Sequence, residues 1–372
     1  MNKKERFKAV RERRAPDYMP VWPRVMSQMI FSHGLLLPDV TGKDWYDAEK
    51  ITEAVLTNIK YNDYDVAIPT YIDHAFGVPP LGGEIKIPDK FGVAAGPTDN
   101  KPVLTKEDWP KVQKILASFD VKTTDPRMKG ALEVIINVSK ELGDEMPLVA
   151  SGYVGSVGAM HLFRPNEAIL EDMYEDPEWV DEMCYVATDW TMDWIRAQYE
   201  AGANSVTFLA EVMGTLMVSP QMAERFNLKN MARVAEMVRK EFDQGTWLHT
   251  HGNMTNPRAY EYLTKLATQT GLEGFHFDEM NNPPEWIKEH VVEKFGVSAC
   301  VITDGHKIVK GPTELIRAEV KDQISRVGDG LGIMMAPSCQ LLPATPNEHF
   351  KAWVDATHEY GTYPLTHDSK RF

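Results

Sequence analysis

Cysteine is scarce in this chain. Cys184, Cys300 and Cys339 are the three present among 372 residues. A sparse, odd-numbered set excludes a disulfide framework and fits a reducing cytoplasm, which is the expected location. An excess of positive charge is also missing. The formal net charge of −14 argues against nucleic acid and anionic membrane surfaces as partners. No apolar run approaches the roughly 18 residues of a membrane span. The basic opening Met1-Asn2-Lys3-Lys4-Glu5-Arg6 leads into no apolar stretch, so no secretory signal is expected. Solenoid repeats and low-complexity segments are absent. So is a Gly-x-Gly-x-x-Gly after the first strand, which counts against a dinucleotide-binding open sheet.

What is present is ample apolar material, 43% of the chain, with 9 Trp, 13 Tyr and 14 Phe. A charged helix over 2–14 is followed by a break at Asp17-Tyr18-Met19-Pro20. Strand candidates then lie near positions 21, 67, 149, 207, 248, 275, 300 and 333. Helical periodicity occupies the intervals, for example 44–60, 126–143, 177–201, 219–240 and 313–327. The glycines of 152–158 read as a loop. Strands alternating with amphipathic helices imply a parallel sheet, and eight such units imply an α/β (β/α)8 TIM barrel. The expected organisation is a single TIM-barrel domain over 1–372. It has an N-terminal helical extension (1–19) and a Gly/Pro-rich insertion (76–103) after strand two.

The chain is organised around Trp247-Leu248-His249-Thr250-His251-Gly252-Asn253. On a strand, period-two alternation turns His249 and His251 to one side, and Gly252-Asn253 ends the strand and exposes them. So short a pattern is more often incidental than metal-binding, and its neighbours must decide. In a TIM barrel the chemistry gathers at the C-terminal ends of the strands. Those ends bring Asp73-His74, Tyr153 and His161, Glu211, His249 and His251, Asp278-Glu279, Asp304-Gly305-His306 and Cys339 to one face. Two imidazoles, a thiol and an optional carboxylate form a zinc-type ligand set that leaves room for an exchangeable position. Cys184 inside a helix and Cys300 at a strand start read as core. Asp304-Gly-His306 has the start of a corrinoid-binding Asp-x-His-x-x-Gly signature, but Val309 occupies the glycine slot, so it reads as a barrel loop.

Several segments then resemble the uroporphyrinogen decarboxylase superfamily over nearly the whole chain. They are Pro20-Val21-Trp22, Asp73 with Gly82, Gln198 to Ala203 through Glu211 and Ser219-Pro220, and Leu341-Leu342-Pro343-Ala344-Thr345-Pro346-Asn347-Glu348. The departures direct the reading away from decarboxylation. Where that enzyme keeps arginines for a polycarboxylate porphyrinogen, an ungapped match places Val25 and Met29. A substrate with its carboxylates unpaired would bind at a cost of several kcal/mol. The decarboxylase histidine before the Pro-x-Thr-Pro motif is Cys339. The zinc-dependent corrinoid methyltransferase branch places His-x-Cys and a later Cys in these slots, occupied here by His249-x-His251 and Cys339.

The resemblance therefore implies zinc held by His249, His251 and Cys339, with Glu211 as fourth ligand or nearby base. One thiolate leaves the metal more electron-poor than two, which suits polarising an oxygen. The expected function is methyl transfer from a methyl ether, in particular a methoxylated aromatic, to the Co(I) corrinoid (cobalamin) of a separate corrinoid-binding protein. Asp73, His161 and Glu211 are the expected catalytic groups, and Trp22, Tyr71 and Tyr153 the expected aromatic walls. A homodimer is a candidate assembly. Two alternatives stay open: a methyl-corrinoid:thiol methyltransferase of the same branch, and a non-catalytic corrinoid- or tetrapyrrole-binding protein.

Overall fold

The computed structural model describes residues 1–210, 218–278 and 281–365. Six parallel strands run in sequential order, Val149–Tyr153, Ser205–Ala210, Thr246–Thr250, Gly274–Phe277, Ser298–Thr303 and Ile333–Pro337. The first two barrel positions are filled by shorter pairings. Val21 bridges Met335 in parallel, with Trp22 N donating to the Met335 carbonyl and Met335 N to the Pro20 carbonyl. Asp65 N and Val66 N donate to the Val21 carbonyl. Ala67 bridges Leu148, so the ring runs from the last strand through 20–22 and 65–67 to Val149–Tyr153. The chain is thus the expected α/β TIM barrel.

A column of rings fills the barrel along its axis. Phe7, from the N-terminal helix Lys3–Arg11, packs on Trp247 with ring centroids 5.9 Å apart. Trp22 stands edge-on to Trp247 and to His276, each at 5.6 Å. His276 meets His249 at 4.7 Å, and His249 meets His251 at 4.9 Å. The N-terminal helix therefore plugs one end, and the histidines emerge at the other. Gly274 lies beside Trp247 because a Cβ there would sit 2.4 Å from the indole. Asp65 fastens the plug: it accepts from Arg6 Nη1 at 2.6 Å and Val21 N at 2.8 Å, and His358 Nε2 lies 2.8 Å away.

Helix starts follow the sequence. Asn2, Asp47, Asp125 and Asp176 each cap a helix with a side-chain oxygen. The segment 152–158 differs from its loop reading, because an α-helix runs over Gly155–Leu162. Gly155 enters it with φ +62, and a Cβ would strike Asn227 Oδ1 at 2.5 Å. That glycine makes the close approach possible rather than marking a loop. The helix periodic over 219–240 contains a π-helical turn at Glu224–Leu228, which places Asn227 against Ser156. Asp304 caps a short helix, Gly305–Lys310, through His306 N, so the Asp-x-His segment is a helix start and not a loop. Within 76–103, Ile85–Lys86 and Gly96–Pro97 pair as a small antiparallel hairpin. No helix among the described residues is long and apolar enough to cross a membrane.

Candidate metal centre and its surroundings

The strand register places the key side chains. Tyr153 pairs with Leu209, Leu209 with His249, and His249 with His276, so these residues share one level across four adjacent strands. Residues level with each other in a parallel sheet point to the same face. Gly152 turns to the helix Pro177–Glu200, where a Cβ would meet Thr191. Tyr153, His249 and His276 accordingly face the barrel interior. His251, two residues beyond His249, continues on that face at the mouth.

His249, His251 and Cys339 come together there. Their ligand atoms all lie within 4.8 Å of one another. His249 Nε2 and His251 Nε2 are 3.0 Å apart. The far nitrogen of each imidazole has its own neighbour: His249 Nδ1 meets His276 Nδ1 at 2.7 Å, and His251 Nδ1 lies 3.4 Å from Asp278 Oδ2. With the far nitrogens engaged in this way, both Nε2 atoms face the cluster as donor atoms, an arrangement that a shared cation can use. The donor set therefore fits a zinc-type ion. Burial holds the imidazoles of His249 and His276 well below the ordinary histidine range, and the Arg24 guanidinium adds to the effect. Both are therefore neutral at pH 7, as a ligand and its supporting neighbour must be.

The 20–24 and 339–341 segments meet at this centre. Arg24 is buried and has a left-handed backbone, φ 46; Cys339 has φ 56. Arg24 Nη1 donates to the Cys339 carbonyl at 2.6 Å, and Leu341 N donates to the Pro23 carbonyl at 3.1 Å. Cys184 and Cys300 are buried, and burial pushes both thiols far up. They are core residues, as the sequence suggests.

A second group borders the mouth. His74 Nδ1 is hydrogen-bonded to Tyr153 OH. The His161 ring stacks on Tyr153 with centroids 3.8 Å apart. Burial, with the nearby His74 and Lys101, holds the His161 imidazole well below its ordinary value. Lys101, from the insertion, donates to the carbonyls of Met160 (2.7 Å) and His161 (3.0 Å). Burial draws its ammonium down to about 7. The three aromatic side chains line a cavity with Phe76, Trp190 and Trp194.

Other expected site residues have different surroundings. Asp73 is buried and committed: Oδ1 accepts from Ala75 N at 2.7 Å and Oδ2 from Arg127 Nη1 at 2.7 Å. Burial lifts its carboxyl to about 6 against the pull of Arg127. The structure gives it the work of pinning 73–77 to the helix Pro126–Leu142, not that of a free acid or base. Trp22 belongs to the ring column, and Tyr71 is buried with its hydroxyl accepting from Ala95 N at 2.6 Å. Packing thus occupies both rings that were expected as substrate walls. Tyr153 alone of the three is partly exposed. Glu211 lies outside the described residues.

Sequence reasoning missed His276, Arg24 and Arg127. His276 carried a signal. In Gly274-Phe275-His276-Phe277, period-two alternation turns the histidine away from both phenylalanines. Arg24 falls in the stretch that reads as the first strand, near position 21, and that reading gives its side chain no role.

Fold and site together define a (β/α)8 barrel with an imidazole–thiol centre at its mouth. The chain belongs to the uroporphyrinogen decarboxylase (URO-D) family, whose model matches residues 2–360. It is 22% identical over 269 residues to the methylcobamide:CoM methyltransferase MtbA of Methanosarcina acetivorans, covering 72% of this chain and 75% of that one. It is also 22% identical over 295 residues to a uroporphyrinogen decarboxylase of Ruthia magnifica, covering 74% of this chain and 78% of that one. Among solved structures it resembles a methyltransferase from Methanosarcina mazei, with a TM-score of 0.77 and 22% identity, covering 97% of this chain and 99% of that one.

Proposed function

We propose that this protein is a zinc-dependent methyltransferase. It moves a methyl group from a methyl ether, in particular a methoxylated aromatic, to the Co(I) corrinoid of a separate protein. The observation that carries the reading is the pair of Nε2 atoms 3.0 Å apart, with the Cys339 thiol in the same cluster. Methyltransferase relatives support an enzyme of this class. Bound zinc would supply a Lewis acid that draws charge from the heteroatom bearing the methyl group.

The chain's own residues do the rest. His276 and Asp278 orient the two imidazoles by engaging their far nitrogens. Tyr153 stands level with His249 two strands away, roughly 10 Å at the backbone. A single aromatic ring fits that interval. The Tyr153 hydroxyl, paired with His74, would hydrogen-bond the departing oxygen and give it a proton. Neutral His161 supports Tyr153 by stacking. Asp73 acts at a distance, by fixing the loop that carries His74.

A second reading is favoured by the relatives' names: transfer from a methylated corrinoid to a thiol. Replacement of a second thiolate by His251 argues for the oxygen donor, because it leaves the zinc more electron-poor. The deciding experiment begins with metal content of the wild type, H251A and C339A. Near-stoichiometric zinc in the wild type, lost in both variants, is expected. Zinc absent from the wild type, or retained in both variants, overturns the ligand set. The loaded protein is then given 2-methoxyphenol with cob(I)alamin, and separately methylcobalamin with a thiol. Turnover in the second assay alone selects the second reading.

A further inference from the structure

The segment that joins the centre to the start of the chain carries a residue that no ligand set includes. Arg24 is one of the largest fully buried side chains of the molecule. Its backbone is left-handed at φ 46, a region that non-glycine residues enter at a cost. Its guanidinium reaches across the barrel seam to the carbonyl of Cys339, 315 residues away, at 2.6 Å. Cys339 is also left-handed, at φ 56. Two unfavourable backbone conformations facing each other across a charge-assisted hydrogen bond form a latch. Leu341 N closes it on the other side by donating to the Pro23 carbonyl at 3.1 Å.

We infer that Arg24 is the positioning residue for Cys339, holding the 339–341 turn in the left-handed conformation that turns the thiol toward His249 and His251. The inference rests on the metal-centre reading. It has a counter-intuitive consequence. A buried cation beside a cation site should oppose metal binding by Coulomb repulsion, so deleting it should tighten binding if charge governs. If the latch governs, deleting it frees the turn and weakens binding. The guanidinium's planar fork also matters, because a single ammonium cannot reproduce its directed donation.

The test uses R24M and R24K, titrated with Zn2+ against a competing chelator. Loading with Co2+ follows, to record the thiolate-to-metal charge-transfer band, which a merely structural loss would not change in a protein that stays folded. Thermal midpoints report folding. R24M is expected to weaken Zn2+ binding about tenfold to a hundredfold, the usual range for residues that orient ligands. Its charge-transfer band should fade relative to the d–d bands. R24K is expected to lie between R24M and wild type in both measures. Wild-type or tighter affinity with an unchanged band in R24M overturns the inference. Should R24M not fold, wild-type affinity and band in R24K overturn it instead. A wild type that binds neither ion defeats the metal-centre reading itself, a separate outcome.

Discussion

At the scale of single residues, His276 is the group whose removal is most informative. Its Nδ1 meets His249 Nδ1 at 2.7 Å, deep in the barrel and far from any contact with solvent. Replacing it with phenylalanine keeps an aromatic ring in the column and removes the partner of His249 Nδ1. Zinc affinity is then expected to fall about tenfold to a hundredfold, while the thermal midpoint changes little. Chelator competition measures the first and calorimetry the second; unchanged affinity would show that His249 needs no such support. At this scale the sequence was informative about which side chains cluster and silent about their neighbours. His249, His251 and Cys339 were legible because strand alternation and barrel topology put strand ends together. Arg24 was not, because the strand reading near position 21 does not tell that a charged side chain there reaches a carbonyl 315 residues later. Trp22 and Tyr71 were misread for the converse reason: an aromatic residue near a barrel mouth can fill the interior as readily as face a substrate.

At the scale of elements, the stretch 73–77 depends on a buried ion pair. Asp73 and Arg127 are both fully shielded from solvent, and Asp125 lies 3.4 Å from the same guanidinium. Arg127 Nη2 also donates to the Ala75 carbonyl at 2.6 Å. Removing one partner strands the other's charge, so Asp73→Ala is expected to cost about 3–5 kcal/mol of stability. Denaturant unfolding reads that cost directly. A large loss of turnover with no loss of stability would instead make Asp73 a chemical participant. Strand positions were legible from 147 onward, where apolar runs alternate with amphipathic helices. The helix Gly155–Leu162 was not, since three glycines in seven residues read as a loop. Gly155 is there so that the chain can pass close to Asn227, a contact made by a residue 72 positions later. The first two barrel segments pair with their neighbours through isolated bridges, yet strand candidates near 21 and 67 still marked their places.

At the scale of the whole molecule, buried neutral histidines link stability to pH. His161, His249 and His276 all have imidazoles held well below the ordinary value of 6.5 by burial. Above that value neither the folded nor the unfolded chain protonates them, and they contribute nothing. Below it the unfolded chain takes up protons that the folded chain refuses. Stability therefore falls as pH falls, by about 1.4 kcal/mol per pH unit for each histidine. Asp73 works the other way. Its folded carboxyl, raised to about 6, gains a proton before the unfolded one does and returns some stability below that pH. Three groups outweigh one, so urea midpoints of the metal-free protein are expected to drop steeply from pH 7 to pH 5. A flat profile would mean that these imidazoles are not buried in the folded state.

The seam of the barrel also bears on how the protein comes into being. Val21 finds its partner in Met335, and Arg24 reaches Cys339, so the first half of each contact is synthesised more than three hundred residues before the second. On a ribosome the opening strand segment emerges early and must wait for the last strand before it has an edge to pair with. Contacts of such long range are slow to form and leave strand edges exposed meanwhile. The thiol and its arginine meet only when that final strand arrives. Nascent chains released short of residue 339 would therefore lack the thiol of the cluster, and metal uptake, where it occurs, would report that synthesis had passed that residue.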